Sequence, residues 1–389
     1  MKHLNLFLMS VITLLFFGCN GSNDIIESGT PQVIEMGKVS GKVVSKNGAK
    51  QIGGALVFTF DQDNKMYYAY SDANGEFILE APEGPRTLHI QTGNGSNFRT
   101  EINVNIKKNE VTALDNALTK LNQVANMAYV QGTYDDIQSI VTGLGYTVTP
   151  ITYDDLKVMS TIAQYDVIFL NCGSKPSSNS GGDQAVYSNL SAFVSNGGSL
   201  YASDWAVAYL TGGTYNSNAC GLPGGFIPDT KLCSINNGSS GIINNATVPD
   251  LNLANAIGFN TLNIQYDLGT WQKINNYDAT FWDVMVKKDN EALMIKTDKY
   301  NDPSTPQTPV GNSAASGWVT ICHHPAGSTP ITITINQNAW PAHQAHGDTM
   351  GPCSSGSNNG NIYYTTFHNH ATGNIGNSEL ILQYIILNL

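Results

Sequence analysis

Four of the chain's eight histidines, two of its six cysteines and an aspartate fall in one stretch, CHHPAGSTPITITINQNAWPAHQAHGDTMGPC, from Cys322 to Cys353. Imidazole nitrogens and a carboxylate gathered so closely are the ligand set of zinc or copper. The spacing supports that chemistry. Pro341 suits the first position of a helical turn, which puts His343 and His346, three apart, on one face with Asp348 just beyond. His323, at the end of a β-rich run, supplies a fourth ligand once the segment is stapled back on itself. The expected centre is His323, His343, His346 and Asp348 around one divalent metal. The alternative is that these are surface or hydrogen-bonded groups that order a loop.

The compartment decides what the cysteines do. Lys2 and His3 precede an apolar run from Leu4 to Phe17 and then Gly18-Cys19, the layout of a secretory signal and too short a run to span a bilayer. LFFGC resembles a bacterial lipobox, which implies cleavage before Cys19 and a lipid on that thiol. Residues 1–18 are then a lipoprotein signal peptide. The expected location is the cell envelope, lipid-anchored in the outer membrane or at the cell surface. With a net charge of -11 and 13% charged residues, the chain has no electrostatic footprint for nucleic acid.

In an oxidising compartment, cysteines that flank a loop are natural partners. With Cys19 lipidated, the economical pairing is Cys220 with Cys233 and Cys322 with Cys353, leaving Cys172 free. A disulfide around the His-rich segment contributes about 3 to 4 kcal/mol in the chain-entropy model.

The elements that must position these residues change period along the chain. Residues 19–36 read as a tether. From Gly37 to about residue 120, short β-rich runs such as ALVFTF and GEFILEA alternate with turn clusters, as in an antiparallel sandwich. Val39-x-Gly41-x-Val43, Gly54-Ala55-x-Val57, Ser71-Asp72-Ala73-Asn74-Gly75-Glu76-Phe77 and Pro82-x-Gly84 resemble the carboxypeptidase regulatory-like domain, a prealbumin-like sandwich related to carbohydrate-binding folds. Asp61-Gln62-Asp63-Asn64 reads as a solvated hairpin tip, because the Gly and distal Glu of a calcium loop are missing.

After Leu121, strands (VANMAYV, YTVTPITY, YDVIFLNCG, SLYASDW) alternate with helical runs, among them YDDIQSIVTGL with Asp135 and Asp136 in its first turn and SNLSAFVSNGG. That alternation predicts parallel strands and a flavodoxin-like three-layer α/β domain over 122–389. "AFVSNGGSLYASDWA" and "NIYYTTFHNHA" resemble the class I glutamine amidotransferase-like superfamily, at the helix, turn and strand before its nucleophile elbow and at its His-x-Glu strand. The departures exclude that family's chemistry: Asp204 stands at the elbow where Cys belongs, and His370 where Glu follows the catalytic His. Cys172, Asp204 and His368 are the remaining candidates for catalysis, with Cys172 read first as a packing residue. His368 and His370, on a continuing strand, would face opposite sides.

The His-rich segment, residues 317–353, is then a disulfide-stapled insertion before the last strand. Its pattern "VTICH-x-P-x-G…PAH-x-AHGD-x-x-G-x-C" resembles a cassette of secreted bacterial proteins that implies no activity. Three classes of function follow. The first is a membrane-anchored accessory or binding lipoprotein with a glycan or protein ligand. The second is a metal-dependent hydrolase, with the insertion's metal activating water and Asp204 or His368 moving protons. The third is a purely structural surface protein.

Overall fold

The computed structural model describes residues 34–176, 183–213, 220, 225–300, 317–325, 330–345, 347–351, 353, 360–370 and 376–389. Seven strands open the chain: β1 (Met36–Lys42), β2 (Leu56–Phe60), β3 (Met66–Tyr70), β4 (Glu76–Pro82), β5 (Gly84–Thr92), β6 (Phe98–Ile106) and β7 (Val111–Ala113). They form two sheets, in the orders β4-β1-β7 and β3-β2-β5-β6. Alternation buries one face of β4: Phe77, Leu79 and Ala81 point inward while Glu76, Ile78 and Glu80 point out. At the Asp72 turn, the carboxylate accepts from the backbone N–H of Asn74 and Glu76, and Gly75 takes φ +75°.

The second part contains β8 (Met127–Val130), β9 (Thr149–Ile151), β10 (Val167–Leu170), β11 (Ser199–Ser203), β12 (Leu232–Asn236), β13 (Gly241–Thr247), β14 (Thr261–Tyr266), β15 (Gln272–Tyr277), β16 (Asp283–Lys288), β17 (Glu291–Thr297), β18 (Trp318–His323), β19 (Ile331–Asn336), β20 (Thr349–Met350) and β21 (Ile362–Thr365). Its helices are α1 (Ile137–Gly143), α2 (Met159–Ile162), α3 (Asp183–Ser195), α4 (Ala208–Thr211), α5 (Leu251–Ile257), α6 (Trp340–Ala345) and α7 (Ser378–Asn388). A nine-stranded sheet runs β14-β13-β16-β17-β21-β11-β10-β8-β9. The β9, β8, β10, β11 and β21 strands are mutually parallel, in the doubly wound order 2-1-3-4-5. Beyond β21 the sheet turns antiparallel through β17 and β16. This antiparallel half, within residues 241–297, is not foreseen by the strand–helix alternation that predicts a parallel sheet.

Successive residues of the central strands serve opposite layers. Val167 and Phe169 of β10 join one core with α1 and α7, while Ile168 and Leu170 join the other with α3. The reason is that a parallel sheet must be covered on both faces. The α3-to-β11 turn depends on two glycines. Gly197 takes φ +97°, and a Cβ on Gly198 would lie 2.4 Å from the Phe193 ring.

Residues Glu35–Leu389 form one compact unit. Val39, Phe77 and Leu88 of the first part belong to the same core as Ile381 and Ile385 of α7. Phe98 and Tyr146 meet across the junction at 4.9 Å between ring centroids.

Several elements are shorter than the sequence suggests. The helical run between β9 and β10 is broken at Val158, whose extended backbone separates a turn at Asp155–Lys157 from α2. The last strand ends at Thr365, before His368. Among the described residues no helix is long and apolar enough to cross a membrane.

The insertion forms a small sheet, β19-β18-β20, followed by α6. Ile321, Ile333 and Ile335 pack on Leu56, Phe58 and Met66, covering the outer face of the first part's four-stranded sheet. Gln91 sews the two together, donating to the Thr332 carbonyl at 3.1 Å and accepting from the Thr334 N–H at 3.3 Å. Both expected disulfides are present: Cys220–Cys233 and Cys322–Cys353, with Cα atoms 4.8 and 4.5 Å apart.

Candidate functional site

Three parallel neighbours deliver side chains to one edge of the sheet. β10 runs into Asn171-Cys172-Gly173, β11 into Asp204, and β21 into the segment Thr366–His370. This carboxyl edge is where doubly wound sheets bind ligands. The loop after β8 approaches closely, since a Cβ on Gly132 would lie 2.3 Å from the Cys172 carbonyl oxygen.

Asp204 has φ +45°, outside the ordinary range of a non-glycine residue. Such strain costs about 1 to 3 kcal/mol and is typical of a strand-to-helix elbow that thrusts a side chain into a site. The elbow holds a carboxylate that is already engaged. Its Oδ1 accepts from the Gln272 N–H at 2.7 Å, and its Oδ2 accepts from the Cys172 thiol at 3.5 Å. Beneath it lies Asp135, which accepts from the Ser203 hydroxyl and, at 3.2 Å, from the Asn369 N–H. The Ser203 oxygen in turn accepts from the Cys172 N–H at 2.9 Å.

Burial dominates the electrostatics here. It lifts Asp135 to about 7 against the hydrogen bonds from Ser203 and the backbone. It lifts Asp204 to about 7 as well, opposed by Gln272 and Cys172 and reinforced by the charge of Asp135. Burial and then the Asp204 charge push the Cys172 thiol well above its usual value. His368 is driven down to about 3 by burial and by neighbouring His370. At neutral pH the thiol is therefore protonated and His368 is neutral, so the site holds no thiolate nucleophile.

Cys172, Asp204 and His368 offer ligand atoms that all lie within 4.8 Å of one another, a group that could hold a metal ion. They line a cleft of about 260 Å³ walled by Tyr134, Trp205, Tyr266 and Trp271. Tyr134 and Trp205 meet edge to face at 5.1 Å, and Tyr266 stacks on Trp271 at 4.0 Å. The Trp205 indole donates to the Thr270 carbonyl at 2.9 Å, tying the far wall to the elbow.

Cys172, expected as a packing residue one strand away from the elbow, is buried, and its thiol reaches Asp204 Oδ2. Two other expectations for this edge are corrected. His368 and His370 do not alternate, because the strand ends before them; their rings lie 4.6 Å apart and both line the cleft. Asp135 does not stand in the first turn of a helix. The α1 helix starts at Ile137, and Asp135 turns inward beneath the elbow. Asp135 and Ser203 were not foreseen as site residues. The only hint was a paired Asp-Asp just after a buried parallel strand.

The insertion holds the second group that could hold a metal: His323, His343 and Asp348, all buried. His323 ends β18, His343 lies in α6 and Asp348 follows it, so the convergence read from spacing is present. His346, the fourth expected ligand, lies outside the described residues. Asp348 Oδ2 is shared by the Nδ1 atoms of His323 at 2.6 Å and His343 at 2.7 Å, while Oδ1 accepts from the His324 N–H at 2.9 Å. A carboxylate only accepts, so both rings carry their proton on Nδ1. Burial works against this charge, but the hydrogen bonds from His323, His324 and His343 outweigh it and hold Asp348 below the usual carboxylate range. His323 Nε2 is buried with no hydrogen-bond partner among the described residues. Phe60 of the first part caps the group, with its ring 4.9 Å from His343 and 5.8 Å from His323.

No protein-family model matches the chain, and no curated protein matches it. Among solved structures it is similar to a candidate carbohydrate binding protein from Bacteroides uniformis, at 12% identity and a TM-score of 0.18, over 23% of this chain and 43% of that one. The match thus spans less than half of that protein's length. The chain is also similar to a candidate ThuA-like protein from Bacteroides uniformis, at 13% identity and a TM-score of 0.28, over 67% of this chain and 87% of that one.

Proposed function

We propose that the chain is a cell-envelope binding protein, anchored by lipid on Cys19, whose cleft at the carboxyl edge of the sheet takes a glycan-type ligand. The occupancy of the elbow carries this reading. Asp204 fills the nucleophile's place with both oxygens engaged, and Cys172 beside it is a buried, protonated thiol. What remains is a recess suited to binding. Four aromatic side chains present apolar area with polar tips, and Asp267 with His370 adds a hydrogen-bonding pair, 2.9 Å apart, at the rim. In the insertion, Asp348 orients two imidazoles through Nδ1, as carboxylates do for metal-ligating histidines. That arrangement supports a zinc or copper ion, reached through the unpartnered His323 Nε2, as a staple for the insertion. The hydrolase reading that joined this metal to Asp204 or His368 is not favoured, because the insertion group is closed under Phe60 on another part of the molecule.

The test is a titration of the purified chain with neutral oligosaccharides, followed by tryptophan fluorescence. A saturable change with at least one sugar is expected, lost in Trp205→Ala and kept in Trp318→Ala. Ammonia released from glutamine, abolished by Cys172→Ser, would overturn the reading. The anchor has its own check: Cys19→Ser should remove palmitate labelling and membrane fractionation.

A further inference from the structure

We infer that Cys172, Asp204 and His368 form a zinc-class metal site in the cleft, with three protein ligands and a coordination position open to the ligand. This goes beyond the binding reading, and either can fail alone. A thiolate, a carboxylate and an imidazole around one tetrahedral ion stand about 3.5 Å apart, given bond lengths of about 2.3 Å to sulfur and 2.0 to 2.2 Å to nitrogen and oxygen. Cys172 Sγ and Asp204 Oδ2 are already 3.5 Å apart. A ring nitrogen of His368 is within 4.8 Å of both, so it needs to close by no more than about 1.3 Å to reach that spacing. The ligand set, one soft sulfur with a nitrogen and an oxygen, selects zinc and its neighbours over magnesium or calcium.

Two further observations point to a cation. Asp135 and Asp204 are both buried, yet among the described residues neither has a Lys or Arg partner. The elbow also spends backbone strain to hold Asp204 against the thiol. Without metal, the thiol proton bridges sulfur and carboxylate. On binding, the S–H bond breaks, the sulfur lone pair forms the metal–sulfur bond and the proton leaves to solvent, with no change of oxidation state. His368 is neutral and offers a lone pair without losing a proton. All three residues line the cleft, so the fourth position faces it. A metal there would bind a hydroxyl or carboxylate oxygen of the ligand, or a water.

The described free cysteine is Cys172 alone, which makes the test specific. The full chain carrying Cys19→Ser, disulfides intact, is stripped with chelator and titrated with cobalt(II). A near-ultraviolet thiolate-to-cobalt charge-transfer band should grow to saturation at one equivalent and be bleached by zinc. Cys172→Ser should lose the band, and His368→Gln should weaken cobalt binding at least tenfold. His343→Ala in the insertion should leave the band intact. The proposal is overturned if the Cys19→Ser parent shows no thiolate band, a result that depends on no substitution at the site. It is equally overturned if the band survives Cys172→Ser, or if cobalt binds without the band and only through His343.

Discussion

The insertion and the cleft each bring sulfur, carboxylate and imidazole together, but to opposite ends. In the insertion the cysteines are joined to each other, the carboxylate is shared by two imidazole N–H groups, and a phenyl ring closes the cluster. In the cleft the cysteine is free, two buried carboxylates, Asp135 and Asp204, have no Lys or Arg partner among the described residues, and the cluster lines an open cleft. In the first arrangement the carboxylate and both Nδ1–H groups have their partners, and the cluster stabilises the fold. The second is strained, and the elbow at Asp204 holds it in place. Buried charge contributes to stability only when its partners are complete, so the same residue types make a clasp in one place and a site in the other.

Removing a carboxylate should therefore have opposite effects in the two regions. Asp348→Ala leaves two buried Nδ1–H groups without an acceptor and should cost about 3 to 5 kcal/mol. Asp204→Asn keeps an acceptor for the Gln272 N–H, tolerates positive φ and removes a buried charge. It should raise stability in chelator at pH 8 by on the order of a few kcal/mol. Denaturant unfolding of both variants measures this contrast. A loss of equal size in both would erase the distinction between clasp and site.

The pH dependence sharpens it. Asp135 and Asp204 titrate at about 7 when folded, above their unfolded value near 4. Their contribution is fully present below about pH 4 and is lost as pH rises through 7. Asp348 is held low, so its contribution is present above about pH 4 and lost in acid. His368, at about 3 when folded, also contributes above about pH 6.5 and loses that as pH falls. In chelator, the stability advantage of Asp204→Asn over the parent should grow from about pH 4 to 7 and then level off. Melting curves across that range read the difference directly, and a flat advantage would mean that Asp204 is not titrating there.

Legibility in the sequence follows the same division. The insertion's ligands lie within a short span, where helical spacing and a strand end suffice to predict that His323, His343 and Asp348 meet. The cleft's ligands come from residues 172, 204 and 368, and only the sheet order brings them to one edge. Asp204 was readable as an elbow substitute, but the contact with Cys172 was not, because it depends on how far the chain turns after β10. The antiparallel half of the sheet was hidden by irregular pairing, with register shifts between Ile243 and Ala246 and around Val286. A bulge interrupts the two-residue period on which strand reading rests.

The docking of the insertion left a trace that could have been used. LVFTF in β2 is buried at four successive positions instead of alternating, which means that something covers both faces of its sheet. Val57 faces the main core, and Leu56 and Phe58 face the insertion. Phe60 continues the outer row and reaches the two imidazoles edge-on. Phe60→Leu keeps an apolar side chain but removes the aromatic contacts, so the expected loss is small, about 1 kcal/mol. Its location matters more than its size. If Phe60 holds the clasp against the first part, amide hydrogen exchange in β18 and β19 should speed up while exchange in β10 and β11, beside the cleft, stays unchanged. Equal acceleration in both places would mean that the two regions open as one unit.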